Sequence, residues 1–164
     1  MDYAGYAIAQ RIVEDFLKFL CAGVMAGYHR LWSHRSYNAS LPLQLFLVGG
    51  GSAALQGSAF WWARSHRSHH RHIDTDKDPY NANRGLLWTH IGWMLFTSPL
   101  HSGPADISDL KQDKLLQFQH RHFFPIAIVL GVILPIVIPG YYFNDWLGGL
   151  CFTMALRMTV AHHV

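Results

Sequence analysis

Residues 29–35 read HRLWSHR and residues 65–72 read SHRSHHRH. Five of the six histidines in these stretches, His29, His34, His66, His69 and His70, stand in two tight groups with arginines beside them. Each group lies at the edge of a long apolar run. Neutral imidazole is a common nitrogen ligand for iron, zinc and copper. His66, His69 and His70 stand at i, i+3 and i+4, which on a helix puts all three on one face. Three ligands on one face make a half-shell for one ion or a bridge between two. His29 and His34 stand at i and i+5, about 140° apart on a regular helix. They fit better where a helix ends, or with each serving a different ion. His72, His90, His101, His120, His122, His162 and His163 lack this pattern and read as hydrogen-bonded interfacial side chains. All-histidine ligation without carboxylates or thiolates suits a redox iron site and also accepts zinc. Composition does not choose between the two.

The chain of 164 residues is long enough for one domain, taken as 1–164. Hydrophobic residues make up 51% and charged residues 14%, against about 25% charged in a typical soluble domain. That balance points to a membrane. The net charge of +3 comes without a basic stripe of interleaved aromatics, so nucleic acid is not an expected partner. Cys21 and Cys151 lie 130 positions apart inside apolar segments, without metal-type spacing. They read as free thiols packed in helices. Residues 1–18 carry Asp2, Arg11, Glu14, Asp15 and Lys18 and do not read as a cleavable signal.

No charged residue occurs from Asn38 to Ala63, nor from Phe123 to Asn144. Both runs exceed the ~20 residues a spanning helix needs. The first is rich in glycine and small residues, which in a bilayer lets helices approach closely. The second carries Pro125, Pro135 and Pro139. Proline is tolerated in a spanning helix when neighbours satisfy the freed carbonyls, and Pro139-Gly140 reads as the end of this one. Shorter candidates are residues 16–28 and Trp146–Leu156; the charged QRIVEDFLKF upstream would be costly in lipid. Residues 85–100 place Leu87, Trp88, Ile91, Met94 and Leu95 at helical spacing and read as a helix on the membrane surface. Arg30, Arg35, Arg64, Arg67 and Arg71 cluster with the histidines at the ends of the apolar runs. By the positive-inside rule that face is cytosolic.

The segments HRLWSHRSY, QGSAFWWARSHRSHHRH, DTDKDPYNANRG, HIGWM and DISDL, in this order and spacing, resemble the stearoyl-CoA (Δ9 acyl-CoA) desaturase family in its fungal branch. The resemblance runs from about Leu17 to the last residue. It implies an all-α, membrane-embedded helical bundle in the endoplasmic reticulum, multi-pass, with a cytosolic histidine-rich cap holding a di-iron site. It implies insertion of a cis double bond at carbon 9 of a saturated acyl-CoA, with O₂ and electrons from cytochrome b5. Carried onto this chain, His29, His34, His66, His69 and His70 would be iron ligands. Trp62 and Gln56 would line the acyl channel, and Arg64 would meet the polar end of the substrate.

The chain also departs from the family. The third box, His-x2-His-His, and the Asn-Ser-x-x-His motif before it are not in this sequence, and RMTVAHHV, residues 157–164, resembles the segment just upstream of them. The first spanning segment is missing, and charged residues 11–18 replace part of the second. Ser65 stands where the family usually has Asp, and Thr97 and Ser98 occupy a stretch often basic in relatives that contacts the CoA phosphates. The bundle is therefore expected to be incomplete relative to the family, and the chain by itself inactive, since five imidazoles do not fill two iron shells of about five or six donors each. Two competing readings are a lipid hydroxylase built on the same histidine boxes, and a non-catalytic membrane metal-binding or regulatory partner of a full-length desaturase. A zinc transporter with a histidine-rich loop fits poorly, because these histidines keep fixed helical spacings.

Overall fold

A computed structural model describes residues 3–96 and 103–159, with side chains from residue 11 onward. No strand occurs among the described residues. Helix α1 (Tyr3–Cys21) runs without a break into a π-helical segment (Ala22–Ser33). Its end is marked by Arg35 in the left-handed region, φ 53°. Helices α2 (Leu41–Ala53) and α3 (Ala59–His72) follow. A π-helical turn (Trp88–Gly92) with α4 (Trp93–Leu95) is separated from α5 (Ser108–Gln112) and α6 (Lys114–Arg121) by residues that include the undescribed 97–102. The last hairpin is α7 (Phe123–Ile128), a π-helical turn (Val129–Ile133) and α8 (Leu134–Phe143), then α9 (Trp146–Gly148) running into a π-helical segment (Gly149–Leu156).

The apolar run from Asn38 to Ala63 does not form one span. Helix α2 has 13 residues, about 20 Å at 1.5 Å per residue, which is short of a ~30 Å hydrocarbon core. The chain reverses at Leu55 (φ 61°) and Gly57 (φ 91°). Ser58 then caps α3 by accepting from the Trp61 amide at 3.2 Å. The glycines of α2 instead serve close approach: a Cβ on Gly23 would run into the Gly50–Gly51 backbone. Around this contact Tyr28, Leu31, Trp32, Leu47, Val48, Ala59, Ala63, Leu110 and Leu116 form the main core.

The second run does form a helix of spanning length. Phe123–Phe143 covers 21 residues and is the one helix among the described residues long and apolar enough to cross a membrane. Little of it is buried, and Phe124, Ile128, Val129, Ile133 and Val137 are exposed. The helix continues through Pro139-Gly140, contrary to the expectation that this pair ends it, and stops at left-handed Asn144. Two neighbouring side chains explain why. Pro135 has no N–H for the carbonyl of Gly131, and Arg157 Nη2 donates to that carbonyl instead. Pro139 likewise leaves the Pro135 carbonyl free, and Thr153 Oγ1 donates to it. Arg157 is 2% exposed. Its Nε also reaches the Thr153 carbonyl (2.8 Å) and its Nη1 the Ala53 carbonyl (3.1 Å).

Residues Leu86–Leu95 are helical, with Leu86, Leu87 and Leu95 exposed; the last part of the expected surface helix, with Thr97 and Ser98, lies outside the described residues. Cys21 and Cys151 are free and helical, but both are exposed rather than packed.

Candidate metal centre

Helix α3 carries the second histidine group. Its i, i+3, i+4 spacing turns His66, His69 and His70 to one side, as the sequence predicts. The first group is delivered by the end of the long N-terminal helix. There the winding is π-helical, and the His34 amide donates to the His29 carbonyl at 3.0 Å, an i+5 bond. A wider turn of this kind winds less per residue and brings residues five apart closer together around the axis. The two imidazoles that a regular helix would hold about 140° apart thus meet edge to face, 4.6 Å between centroids.

Four rings converge. Nε2 of His34 lies 3.0 Å from Nε2 of His29 and 3.0 Å from Nε2 of His66, and Nε2 of His66 lies 3.0 Å from Nε2 of His70. One nitrogen from each of the four can be chosen so that all lie within 4.8 Å of one another. Two nitrogens at right angles on ~2.1 Å metal–imidazole bonds would stand about 3.0 Å apart, so the donor set fits a nitrogen-ligated transition metal. Burial, with crowding by neighbouring imidazoles, favours the neutral, ligating form of His29, His66 and His70. Burial pushes His66 down to about 3, helped by the neighbouring His70, His29, His34 and His69. His29 and His70 are lowered for the same reason, burial first and the adjacent imidazoles after it. His29 Nδ1 is buried without a partner among the described residues.

His69 stands beside this cluster rather than in it. Its Nδ1 is 2.9 Å from Oδ1 of Asp78, a carboxylate only 4% exposed. Burial would raise the Asp78 carboxyl, but hydrogen bonds from His69 and from the Tyr80 and Asp74 amides outweigh it and leave the group below its usual range. A carboxylate on Nδ1 leaves Nε2 as the free acceptor. This partner, in the DTDKDPYN loop, carries no ligand spacing of its own; the motif is its only signal in the sequence.

The expected substrate residues are placed as follows. Trp62 is half-buried and stacks on His66, 4.8 Å between centroids and 23° between planes, with His29 and Tyr28 each 6.1 Å away. Gln56 is half-buried in the turn between α2 and α3. Arg64 is exposed on α3. Of the other histidines, His120 pairs with Ser58 Oγ (2.6 Å), His122 with the Phe118 carbonyl (3.0 Å) and His72 with the Pro104 carbonyl (3.3 Å). His101, His162 and His163 lie outside the described residues.

Two sets of supporting residues escape sequence reasoning. Gln119, fully buried, donates to Tyr28 Oη (3.0 Å) and Ser52 Oγ (2.9 Å) and accepts from the Ala59 amide (3.0 Å), tying α6 to the helix that carries His29, to α2 and to the start of α3. Arg67 and Arg35 converge on Asp109. Their contact partners lie 34 to 91 positions away along the chain, where no local pattern reaches.

The family profile for fatty acid desaturase matches residues 16–164. A protein named probable acyl-CoA desaturase from Schizosaccharomyces pombe is 48% identical over 142 residues, covering 86% of this chain and 30% of that protein. Acyl-CoA desaturase 1 of Saccharomyces cerevisiae is 49% identical over 138 residues, covering 84% of this chain and 27% of the yeast protein. Stearoyl-CoA desaturase 2 of Rattus norvegicus is 41% identical over 143 residues, covering 84% and 40%. The helical architecture, the histidine cluster and these matches agree: the chain belongs to the fatty acid desaturase family. It spans less than half the length of these relatives.

Proposed function

We propose that this chain is part of an acyl-CoA Δ9 desaturase, a membrane oxidoreductase that converts a saturated acyl-CoA, O₂, two electrons and two protons to the cis-9 product and two waters. The observation that carries the reading is the convergence of His29, His34, His66 and His70 from two separate helices in a chain of this family. In this reading the five boxed histidines hold iron, two ions in the complete protein, with His69 oriented by Asp78. Iron, when bound, would supply the activation of O₂ needed to break an unactivated C–H bond.

The protein's own residues position and shield. Trp62 holds His66 by stacking and offers an apolar wall for an acyl chain. Gln56, at the reversal between α2 and α3, lines the same channel. Arg64, exposed at the outer side of α3, meets the polar end of the acyl-CoA, a role suited to a guanidinium. Regiospecificity then follows from holding one carbon of an inert chain beside the metals. The electrons come from cytochrome b5 at the cytosolic face of the endoplasmic reticulum membrane. By itself the 164-residue chain does not turn over, because its five boxed imidazoles leave two iron shells under-filled.

A chimera tests this reading. The matched 138-residue segment of the Saccharomyces cerevisiae protein is replaced by that of this chain and expressed in cells lacking Δ9 desaturase, and the fatty acids are analysed by mass spectrometry. Cis-9 monounsaturated acids, lost when His66 becomes Ala, support the proposal. Hydroxylated acids instead would point to the hydroxylase reading, and no new product with a folded chimera would contradict both.

A further inference from the structure

The metal-ligand reading leaves the arginines beside the histidines unexplained. Arg67 sits on α3 between His66 and His69, and its guanidinium has five N–H donors. All five are used. Nε donates to the Ser33 carbonyl (3.0 Å), and Nη1 donates to the Asp106 carbonyl (2.7 Å) and Asp109 Oδ1 (2.7 Å). Nη2 donates to the Trp32 carbonyl and to Asp109 Oδ2 (2.8 Å). Trp32 and Ser33 close the helix that carries His29, and His34 follows directly. Helix-end carbonyls lack partners within their own helix, so Arg67 acts as their cap, supplied by the other histidine helix.

Asp109 completes the link. Its Oδ1 also accepts from Arg35 Nη2 at 2.7 Å, and Arg35 is the residue after His34. One carboxylate thus holds the arginine next to His34 and the arginine next to His66. The fork on Asp109 is bidentate, the strongest form of such a pair. Arg67 is only 12% exposed at its side chain.

We propose that Arg67 and Asp109 are positioning residues of the metal centre. They fix the helix end bearing His34 against the helix bearing His66 and His70, so that the four ring nitrogens meet. The inference rests on the reading that these histidines hold a metal. A lysine cannot replace Arg67, since one ammonium cannot reach five acceptors spread over two helices and a loop. The arginine–histidine alternation of HRLWSHR and SHRSHHRH then has two parts, ligands and the clamp that registers them.

Cobalt(II) alone serves as the probe, titrated into the 164-residue chain in lipid nanodiscs and read from its visible d–d absorption, with helicity checked by circular dichroism. Arg67→Met and Arg67→Lys are expected to weaken cobalt binding roughly 10–100-fold, the usual loss for a residue that supports ligands, and to shift the band. Asp109→Asn should weaken it about 10-fold, while Asp109→Glu restores most of the affinity. Parent-like affinity and spectrum in folded Arg67→Met and Asp109→Asn would overturn the proposal; if Arg67→Met does not fold, Asp109→Asn decides. His66→Ala separates the two levels. If the parent binds no cobalt, or His66→Ala binds it unchanged, the metal-centre reading fails, and the proposal fails with it.

Discussion

Nε2 of His34 lies 3.0 Å from Nε2 of His66, although the two residues are 32 positions apart. Two neutral imidazoles can share one proton across such a gap, and four rings meeting nitrogen to nitrogen in succession form a donor set that one shared cation fits. His29, His34, His66 and His70 are therefore expected to be unequal to His69. Replacing any of the four by Ala should lower cobalt affinity of the chain at least ~10-fold, whereas His69→Ala, outside the cluster, should change it less than ~3-fold. Isothermal titration of the five variants distinguishes them. Equal losses at all five would mean that His69 belongs to the same shell.

Asp109 makes a stability prediction that depends on pH. Hydrogen bonding by Arg67 pulls its carboxyl from the ordinary 3.8 down to about 2, with burial opposing and Arg35 adding to the effect. A folded-state value below the unfolded one stabilises the fold fully above about pH 4, and that contribution disappears as pH falls through about 2. The side chain is 37% exposed, so solvent screening reduces the contribution to on the order of 1 kcal/mol. The unfolding free energies of the parent and Asp109→Asn, measured by denaturant titration in detergent, should converge as pH falls from 4 to 2. A constant difference across that window would contradict the assignment.

The proline-freed carbonyls predict a coupling. Thr153→Val should destabilise the chain by roughly 1–2 kcal/mol, because the Pro135 carbonyl loses its donor in an apolar setting. In a Pro139→Ala background the backbone regains an N–H for that carbonyl, and the same substitution should cost distinctly less. A double-mutant cycle on thermal or denaturant unfolding reads the difference. Additive effects would mean that Thr153 does not serve the proline gap.

Gln119→Leu should be more damaging than its position on a short helix suggests. It would leave the Ala59 amide without an acceptor and Tyr28 Oη without its donor, both inside the protein, at a cost of roughly 2–4 kcal/mol. A fall in melting temperature well beyond that of Gln117→Leu, on the less buried side of the same helix, is the expected result.

The sequence alone carries part of this. The i, i+3, i+4 spacing of His66, His69 and His70 is enough to predict one helical face, and Phe123–Phe143 is legible as a spanning helix from its length and lack of charge. Residues 38–63 mislead, because absence of charge does not reveal a break. The break is written in Gly57-Ser58, a turn residue followed by a helix cap. The pairing of His29 with His34 needs π-helical winding, which residue periodicity does not encode. Arg67 reads as a topology signal by composition and becomes a clamp only when Trp32, Ser33 and Asp109 fold around it. His69 and Asp78 form a pair nine residues apart, close in sequence, yet the loop that joins them has no regular period to announce it.

The most direct test of the metal centre is X-ray absorption at the iron edge on the chain loaded anaerobically with Fe(II) and desalted. Retained iron is expected, with a shell of imidazole nitrogens at about 2.0–2.1 Å and the multiple-scattering pattern of the ring, and both should be lost when His29, His34, His66 and His70 are all replaced by Ala. Iron that is not retained, or an oxygen-only shell that the fourfold variant shares, would contradict the metal-centre reading.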